Sequence, residues 1–138
     1  MIIQQISVFL ENRPGTLAEV LEVLGEREVN IRAMSVADTA DFGIVRFVVN
    51  RPAAVETLLR DAGFTVKSNQ VLSLALHDQP GSLLRQVKRL GEAGINVEYF
   101  YAFAGGQADA RIVFKVDDIE RAAGMLGEEA AEVPEVYW

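Results

Sequence analysis

The sequence predicts an α+β fold made of two tandem βαββαβ units with antiparallel sheets. A turn of the form polar-x-Pro-Gly occurs twice, at residues 12–17 and again at residues 78–83. A motif with an asparagine between two apolar residues also occurs twice, at residues 29–31 and 95–97, and the same distance along the chain separates both pairs. Strand-like and helix-like patterns follow each other in one order around each copy. We therefore interpret the chain as one unit written twice.

The length and composition fit two small folded domains. The chain has 138 residues, and the repeat divides it into expected domains at residues 1–69 and 70–138. Half of the residues are hydrophobic and only four are proline, which is typical of a folded globular protein. Domains of this size bury little surface alone, so we expect them to pack together.

Charge and residue usage exclude several classes of partner. The net charge of −7 disfavours nucleic acid, because an acidic surface repels phosphate backbones. The absence of cysteine excludes disulfides and is compatible with a reducing compartment. Residues 1–5 lack the basic start of a signal peptide, and no apolar run approaches the roughly 18 residues of a membrane span. We therefore expect a soluble, cytoplasmic protein with no membrane partner.

The first unit opens with a strand at residues 2–10, followed by an amphipathic helix. After the Pro-Gly turn, apolar residues recur at i, i+3, i+4 and i+7, which predicts a helix with one buried stripe. Thr16 and Glu19 fit a capping box, in which a hydroxyl and a carboxylate satisfy two unpaired amides. The apolar stripe consists of Leu17, Val20, Leu21 and Leu24.

The rest of the first unit predicts a hairpin, a second helix and a last strand. Apolar runs at residues 29–37 and 42–49 flank a polar turn at residues 38–41, which indicates the hairpin. The helix begins near Pro52, a favoured first-turn residue, and Gly63 ends it. Residues 64–67 form the last predicted strand.

The second unit repeats this order after a short predicted linker of Ser68, Asn69 and Gln70. Each unit is thereby predicted to be a ferredoxin-like sandwich, a four-stranded antiparallel sheet with both helices on one face. The predicted elements are strand 71–76, a helix with Leu83, Val87 and Leu90, strands 95–104 and 110–116, a helix with Ile119, Ala122, Ala123 and Leu126, and a closing strand near residues 132–138.

Both faces of the predicted sheets are apolar. Val45 and Phe47 alternate with Ile44 and Val48, and aromatic residues alternate with one another in residues 99–103. A face with so many large apolar residues is rarely left in water. We therefore expect it to meet another sheet, within the chain or in a homodimer. The alternative is an ordinary core with scattered exposed residues.

The repeated turns are candidate anion sites. A strand that turns sharply into a helix leaves the first helical amides unpaired and the positive end of the helix dipole exposed. The glycine lets a ligand approach the backbone closely, and the Asn12 or Asp78 side chain can bond the turn or a ligand. The alternative is that these residues only form the turn and cap the helix, but the repetition of the motif favours a ligand-binding site.

The first unit resembles the ACT domain in two motifs, the turn at residues 12–17 and Val-Asn-Ile at residues 29–31 inside a βαββαβ unit. ACT domains are small ligand-binding modules attached to enzymes of amino-acid metabolism. The first copy is similar to the serine-sensing domain of phosphoglycerate dehydrogenase, and the second to regulatory subunits of acetolactate synthase. The resemblance covers nearly the whole chain. It implies that an amino acid binds between domains, held by the Asn and backbone amides of the turn and by the Asn of a neighbouring domain.

This implied site agrees with the chemistry of a zwitterion, which needs donors for its carboxylate and acceptors for its ammonium. Helix amides supply the donors, and side-chain carbonyls supply the acceptors. The expected ligand-binding residues are Asn12, Arg13, Pro14, Gly15, Thr16, Leu17, Asn30 and Ile31 in the first copy, and Asp78, Gln79, Pro80, Gly81, Ser82, Leu83, Asn96 and Val97 in the second.

Three positions depart from the family pattern. Leu10 stands where the serine sensor has a histidine, so serine itself is not implied. Asp78 replaces asparagine, which opposes a carboxylate and favours an ammonium. Glu28 occupies the helix-ending position where the second copy has Gly94, at a cost of about 1 kcal/mol if that backbone is left-handed.

Other functions have weaker support. His77 and Asp78 form a poor catalytic dyad, because neighbours on a strand point to opposite faces. Asp117 and Asp118 are expected to cap a helix rather than to bind metal. An RNA-binding domain of the same fold needs basic residues beside its sheet aromatics, which residues 99–103 lack.

We therefore expect no catalytic residue, metal or cofactor. The predicted function is that of a non-catalytic sensor, which binds an amino acid or related small carboxylate at the Pro-Gly turns and regulates amino-acid metabolism. The alternative is a regulatory subunit that docks on a partner enzyme through its sheet without binding a ligand.

Overall fold

A computed structural model of the chain describes residues 1–38, 42–104 and 109–130. Contacts divide the chain into a first unit, Gln4–Asn69, and a second unit, which comprises Met1–Ile3 and the chain from Gln70 onward. The predicted hairpin turn at residues 38–41 lies mostly outside the described residues, and the closing strand predicted near residues 132–138 lies wholly outside them. The elements are β1 (Ile2–Glu11), α1 (Thr16–Glu26), β2 (Ile31–Asp38), β3 (Phe42–Val49), α2 (Pro52–Asp61), β4 (Thr65–His77), α3 (Ser82–Glu92), β5 (Val97–Ala104), β6 (Asp109–Val116) and α4 (Ile119–Ala130).

Within the described residues, six strands form an antiparallel sheet in the order β2-β3-β1-β4-β6-β5. In the first unit Ile6 of β1 lies opposite Phe47 of β3, and in the second unit Leu72 of β4 lies opposite Phe114 of β6. The element order and the strand arrangement confirm the predicted α+β class and its tandem ferredoxin-like units.

The core of the first unit lies between one face of its sheet and its two helices. Alternate residues of β1 and β3 are buried there, because successive side chains of a strand point to opposite faces. Val20 and Leu24 of the predicted α1 stripe are buried, and Leu17 and Leu21 are partly buried against them. The other buried members of this core are Ile6, Val8, Leu10, Val45, Phe47, Val49, Val55, Leu59 and Val66.

The core of the second unit repeats this arrangement. Leu72, Leu74 and Leu76 of β4 occupy the places of the β1 residues, and Phe114 of β6 takes the place of Phe47. Leu90 of α3 and Ala122 and Leu126 of α4 cover them, as the apolar spacing predicted. The repeat therefore extends to the packing of each unit.

The predicted linker is wrong. Ser68, Asn69 and Gln70 lie inside β4, which runs without a break from Thr65 to His77 and replaces two predicted strands. The physical reason is that this polar stretch contains no Gly or Pro to break the strand, and its Asn69 side chain has a partner in the sheet. The Gln5 Nε2 group, which is buried, donates a hydrogen bond of 3.3 Å to Asn69 Oδ1.

The first residues of β1 belong to the second unit, which the sequence did not indicate. The Ser73 amide donates to the Met1 carbonyl at 2.8 Å, and the Met1 ammonium donates to the Ser73 carbonyl at 3.1 Å. Ile2 packs against the core of the second unit.

Each unit also buries residues on the strand face opposite its own helices, Val48 in the first unit and Val71 and Val113 in the second. Val48, Val71 and Val113 are buried although none of them belongs to a helix-covered core. Polar Gln5 and Ser7 are buried on the same face of β1. The expectation that this face meets another sheet stays a prediction.

Candidate functional site

We name the turn between β1 and α1 turn one (residues 12–15). The helix that follows it begins without a side-chain cap. Gly15 is the residue before the helix and has φ 91° and ψ −17°, a left-handed conformation that glycine adopts at low cost. No side chain caps the helix at this position. The first amides of α1 therefore point out of the helix end with the positive end of its dipole.

The buried Thr16 side chain holds turn one together through hydrogen bonds to its backbone. Its hydroxyl lies 2.9 Å from the Glu11 carbonyl oxygen and 3.1 Å from the Arg13 carbonyl oxygen, and the residue is only 7% exposed. Its single hydrogen is therefore shared between two acceptors. The predicted capping box of Thr16 and Glu19 is wrong, because the residue before the helix is Gly15 and Thr16 turns its hydroxyl back to the strand.

Arg13 lies between two carboxylates at turn one. Its Nε is 3.0 Å from Glu11 Oε2, and its Nη2 is 3.8 Å from Glu19 Oε1. All three side chains are more than half exposed, so these ion pairs contribute little stability. Two of the five N–H groups of a guanidinium suffice for them, which leaves Arg13 able to bind an anion.

A cleft of about 550 Å³ adjoins turn one within the first unit. Arg13 and Thr16 line it, but Asn12, Gly15 and Leu17 are not among its lining residues. Three phenylalanines that the sequence did not single out also line it: Phe9, Phe42 and Phe64. They come from β1, β3 and the start of the chain after α2, so no local sequence pattern brings them together.

Asn30 lies at the other end of the first unit. Residue Ile31 of β2 pairs with Val49 of β3, whereas Glu11 at turn one pairs with Phe42 at the opposite end of β3. The length of β3 corresponds to roughly 24 Å between these ends, at about 3.4 Å per residue. Turn one and Asn30 of the same unit therefore do not form one site.

A second cleft, of about 540 Å³, includes Asn30 in its lining. Glu28 and Arg51 also line it, with φ of 54° and 55°, and they are the non-glycine residues with positive φ among the residues described. The condition on which Glu28 carries a backbone cost, a left-handed conformation, is therefore met. Arg51 precedes α2, which likewise begins without a side-chain cap.

The turn between β4 and α3, turn two (residues 78–81), repeats the backbone of turn one. Gly81 has φ 87° and ψ −8°, and no side chain caps α3. Asp78, Gln79 and Pro80 are exposed, Ser82 is buried and Leu83 packs partly against the second core. Within the described residues, neither Asn12 nor Asp78 makes a side-chain hydrogen bond, which leaves both side chains open to a ligand.

Asn96 lies at the end of the second unit opposite to turn two, next to Val97 at the start of β5. The Asn96 amide donates to Asp117 Oδ1 at 3.0 Å, and the Asp117 amide donates to the Asn96 carbonyl at 3.2 Å. Asp118 Oδ1 accepts from the Arg121 amide at 3.2 Å, which confirms the predicted cap of α4.

A family model described as an ACT domain pair matches residues 1–132 of the chain. The chain belongs to the ACT domain family. Members of this family are regulatory, amino-acid-sensing modules. The resemblance inferred from the two Pro-Gly turns is thereby confirmed.

Solved structures similar to this ACT domain pair include protein BT0572 from Bacteroides thetaiotaomicron, with 34% identity over 94% of this chain and 89% of that chain and a TM-score of 0.88. Regulatory subunits of aspartate kinase from Thermus thermophilus and Thermus flavus share the fold at 16% identity, with TM-scores of 0.65 and 0.62 over 94% of this chain and 95% of theirs. Among curated proteins, no sequence matches the chain.

Two further observations bear on function. Within the described part of this ACT domain pair, no cluster of three or more His, Asp or Glu residues is arranged to hold a metal ion. No helix in that part of the chain has the length and apolar character that crossing a membrane requires.

Proposed function

We propose that this chain is a non-catalytic sensor, which binds an amino acid or a related small carboxylate at turn one and regulates amino-acid metabolism. The observation that carries the proposal is the uncapped start of α1 after left-handed Gly15. The amides at this helix start, including that of Leu17, are suited to the ligand carboxylate. The exposed Asn12 side chain can donate to the same carboxylate or accept from the ligand ammonium.

A second copy of the chain completes the proposed site. Asn30 and turn one of one unit are separated by the length of the sheet, so an Asn30 contact to a ligand at turn one must come from elsewhere. Strand β2 is an edge of the sheet. Antiparallel pairing of β2 with β2 of a second copy brings the Asn30 end of one strand to the turn-one end of the other.

The exposure of the β2 edge supports this homodimer. Met34 is 42% exposed and Val36 is 52% exposed, and large apolar residues on an unpaired edge strand favour association. Sedimentation equilibrium at tens of micromolar tests the dimer. We expect Val36→Lys to convert the dimer to monomers, and a monomeric native protein contradicts the proposal.

The proposed setting is the cytoplasm, which fits a chain without cysteine. The proposed partner is an enzyme of amino-acid metabolism. Similarity to the aspartate kinase regulatory subunits is limited to the fold, so it does not specify which enzyme of this class is the partner.

A thermal-melt screen against the twenty amino acids tests ligand binding. A ligand that binds only the folded state adds RT ln(1 + [L]/Kd), or about 2.7 kcal/mol at a hundredfold excess over Kd. For a chain of this size we expect the melting temperature to rise by several degrees. If no amino acid or related carboxylate raises it at millimolar concentration, the sensor proposal is wrong.

The second candidate function is docking on a partner enzyme without a ligand. The same exposed Met34 and Val36 favour it, because a partner protein can cover the β2 edge as well as a second copy can. The two candidates predict different results. A monomer whose melting temperature responds to no amino acid supports docking, and a dimer that an amino acid stabilises supports the sensor.

A further inference from the structure

The cleft of about 540 Å³ in the first unit, which we name the Asn30 cleft, lies where α1 ends and α2 begins. Ile31 of β2 pairs with Val49 of β3, so Asn30 and Asn50 flank this pair at one end of the sheet. The volume falls within the range of clefts that hold small ligands. The polar side chains that line the cleft are those of Arg27, Glu28, Asn30, Asn50 and Arg51.

The second unit has a carboxylate at the matching end of its sheet. Asn96 and Asp117 flank the corresponding strand pair there, so they match Asn30 and Asn50. The Asn96 amide donates to Asp117 Oδ1 at 3.0 Å. Asn50 has no carboxylate, and within the described residues its side chain makes no hydrogen bond. The Asn30 amide therefore lacks the anionic acceptor that the Asn96 amide has.

The starts of α2 and α4 differ in the same way. The residue before the helix is Arg51 in α2 and Asp118 in α4, and the carbonyl of each accepts from the amide four residues on, at 3.2 Å and 3.1 Å. Asp118 Oδ1 also accepts from the Arg121 amide at 3.2 Å. The matching amide of α2 is that of Ala54, which lines the Asn30 cleft, and no side chain caps α2. The second unit thus supplies from its own chain two carboxylates that the first unit lacks.

The first unit has cations at this end instead. Arg51 lies at the positive end of the α2 dipole, and the first turn of α2 contains no acidic residue. Within the described residues, the guanidinium groups of Arg27 and Arg51 make no ion pair or hydrogen bond. The Glu28 carboxylate also lines the cleft, which leaves one positive charge in excess over the two arginines and one glutamate. An anion from outside the chain would be attracted to this end of the first unit.

We infer that the Asn30 cleft binds a small oxyanion, a carboxylate or a phosphate, which takes the place that the Asp117 and Asp118 carboxylates have in the second unit. The amides of Asn30 and Ala54 donate to its oxygens, and the arginines balance its charge. This inference goes beyond the proposed function, because the cleft lies at the opposite end of the first unit from turn one. It uses the backbone amide of Asn30 and leaves the Asn30 side chain to the ligand proposed at turn one of a second copy.

Amide NMR titration of the isotope-labelled full chain tests the inference, with sodium phosphate and sodium succinate as separate probes and sodium chloride at matched ionic strength as the control. We expect phosphate or succinate to shift the Asn30 and Ala54 amides to saturation at millimolar concentration. The Asn96 and Arg121 amides already have carboxylate partners and should not move. The probe that saturates the first two amides shows whether the oxyanion is a phosphate or a carboxylate.

Three results of this titration overturn the inference. One is the absence of a saturable shift at Asn30 and Ala54 with both probes. Another is an equal shift with sodium chloride, which would show screening alone. The third is a saturable shift at the Leu17 amide with none at Asn30, which would assign the anion to turn one. None of these results contradicts the sensor proposal, because the amino-acid melt screen tests that proposal separately.

A matched pair of variants tests the role of the charge. Arg51→Gln removes one exposed charge from the cleft, and we expect it to weaken binding of the saturating probe roughly fivefold. Arg85→Gln removes an exposed charge from α3 of the second unit, and the affinity should stay within about a factor of two. Arg51→Asp places a carboxylate where the second unit has Asp118, and it should abolish the saturable shifts. Unchanged binding in Arg51→Gln, or an equal loss in Arg85→Gln, contradicts the assignment of the site.

Discussion

Glu28 and Gly94 occupy the same place in the two units, as the left-handed residue that ends the first helix of each, with φ of 54° and 74°. The Glu28 amide donates to the Gly25 carbonyl and the Val29 amide to the Leu24 carbonyl, at 3.0 Å each. Gly94 and Ile95 form the same two bonds in the second unit, to Gly91 and Leu90. This pair of bonds is the Schellman motif, whose left-handed position favours glycine.

Glu28→Gly should stabilise the protein by about 1 kcal/mol, because glycine relieves the left-handed strain at a position where the bonds stay the same. Chemical denaturation of the wild type and the variant measures the change. Glu22→Gly, in the interior of α1 where the backbone is helical, is the control and should destabilise by about 1 kcal/mol. Destabilisation by both substitutions contradicts the assigned strain.

Gly15→Ala should destabilise the protein by about 1–2 kcal/mol through backbone strain alone. A Cβ at Gly15 meets no atom within 4 Å, so a steric clash does not contribute. The matched control is Gly25→Ala in α1, where a Cβ also meets nothing within 4 Å and the backbone is helical. We expect that control to stabilise by about 0.4–1 kcal/mol in the same denaturation experiment. Equal effects at the two positions would show that turn one is not left-handed.

Thr16→Val should destabilise the protein by about 1–2 kcal/mol, because it keeps the shape of a buried side chain and leaves two carbonyl groups without their donor. Thr57→Val is the control, since the Thr57 hydroxyl bonds the Ala53 carbonyl at 3.2 Å on the exposed side of α2. The control should change the free energy of unfolding by less than about 0.5 kcal/mol. A smaller loss at Thr16 than at Thr57 argues against its role in holding turn one.

The repeated local motifs could be predicted from the sequence because their cause is local. A Pro-Gly pair after a strand demands a left-handed glycine, and Gly15 and Gly81 both adopt it. The correspondence of Glu28 with Gly94 raised the question of a left-handed backbone at Glu28, and the structure answers it with φ 54°. Apolar spacing placed Val20 and Leu24 in the core for the same reason.

Features that depend on distant segments could not be predicted. The polar stretch at residues 68–70 resembled a linker, although it contains no Gly or Pro. The structure places it inside β4, where Asn69 accepts a hydrogen bond from the distant Gln5. The cleft beside turn one brings Phe9, Phe42 and Phe64 together from three segments, and each of them alone was an ordinary apolar residue of its strand or turn. Which residues line such a cleft depends on how these segments meet at the end of the sheet. The spacing of residues along the chain does not give this arrangement.

The two turns should differ in their affinity for carboxylates although their backbones agree. At turn two a ligand carboxylate meets the charge of Asp78, which costs about 1–4 kcal/mol at a few ångströms in a surface environment. At turn one it meets helix amides and the neutral Asn12 side chain. We therefore predict that the ligand carboxylate binds at turn one, and that Asp78 binds an ammonium or caps its own turn.

Titration calorimetry of the Asn12→Asp and Asp78→Asn variants tests this account most directly. The probe is the amino acid that raises the melting temperature of the wild type most among the twenty, and the melt of each variant without ligand controls for folding. We expect Asn12→Asp to weaken binding at least tenfold, because it places a like charge beside the ligand carboxylate, and Asp78→Asn to leave the affinity unchanged or to raise it. Unchanged binding in Asn12→Asp together with a tenfold loss in Asp78→Asn would contradict the account and assign the ligand to turn two.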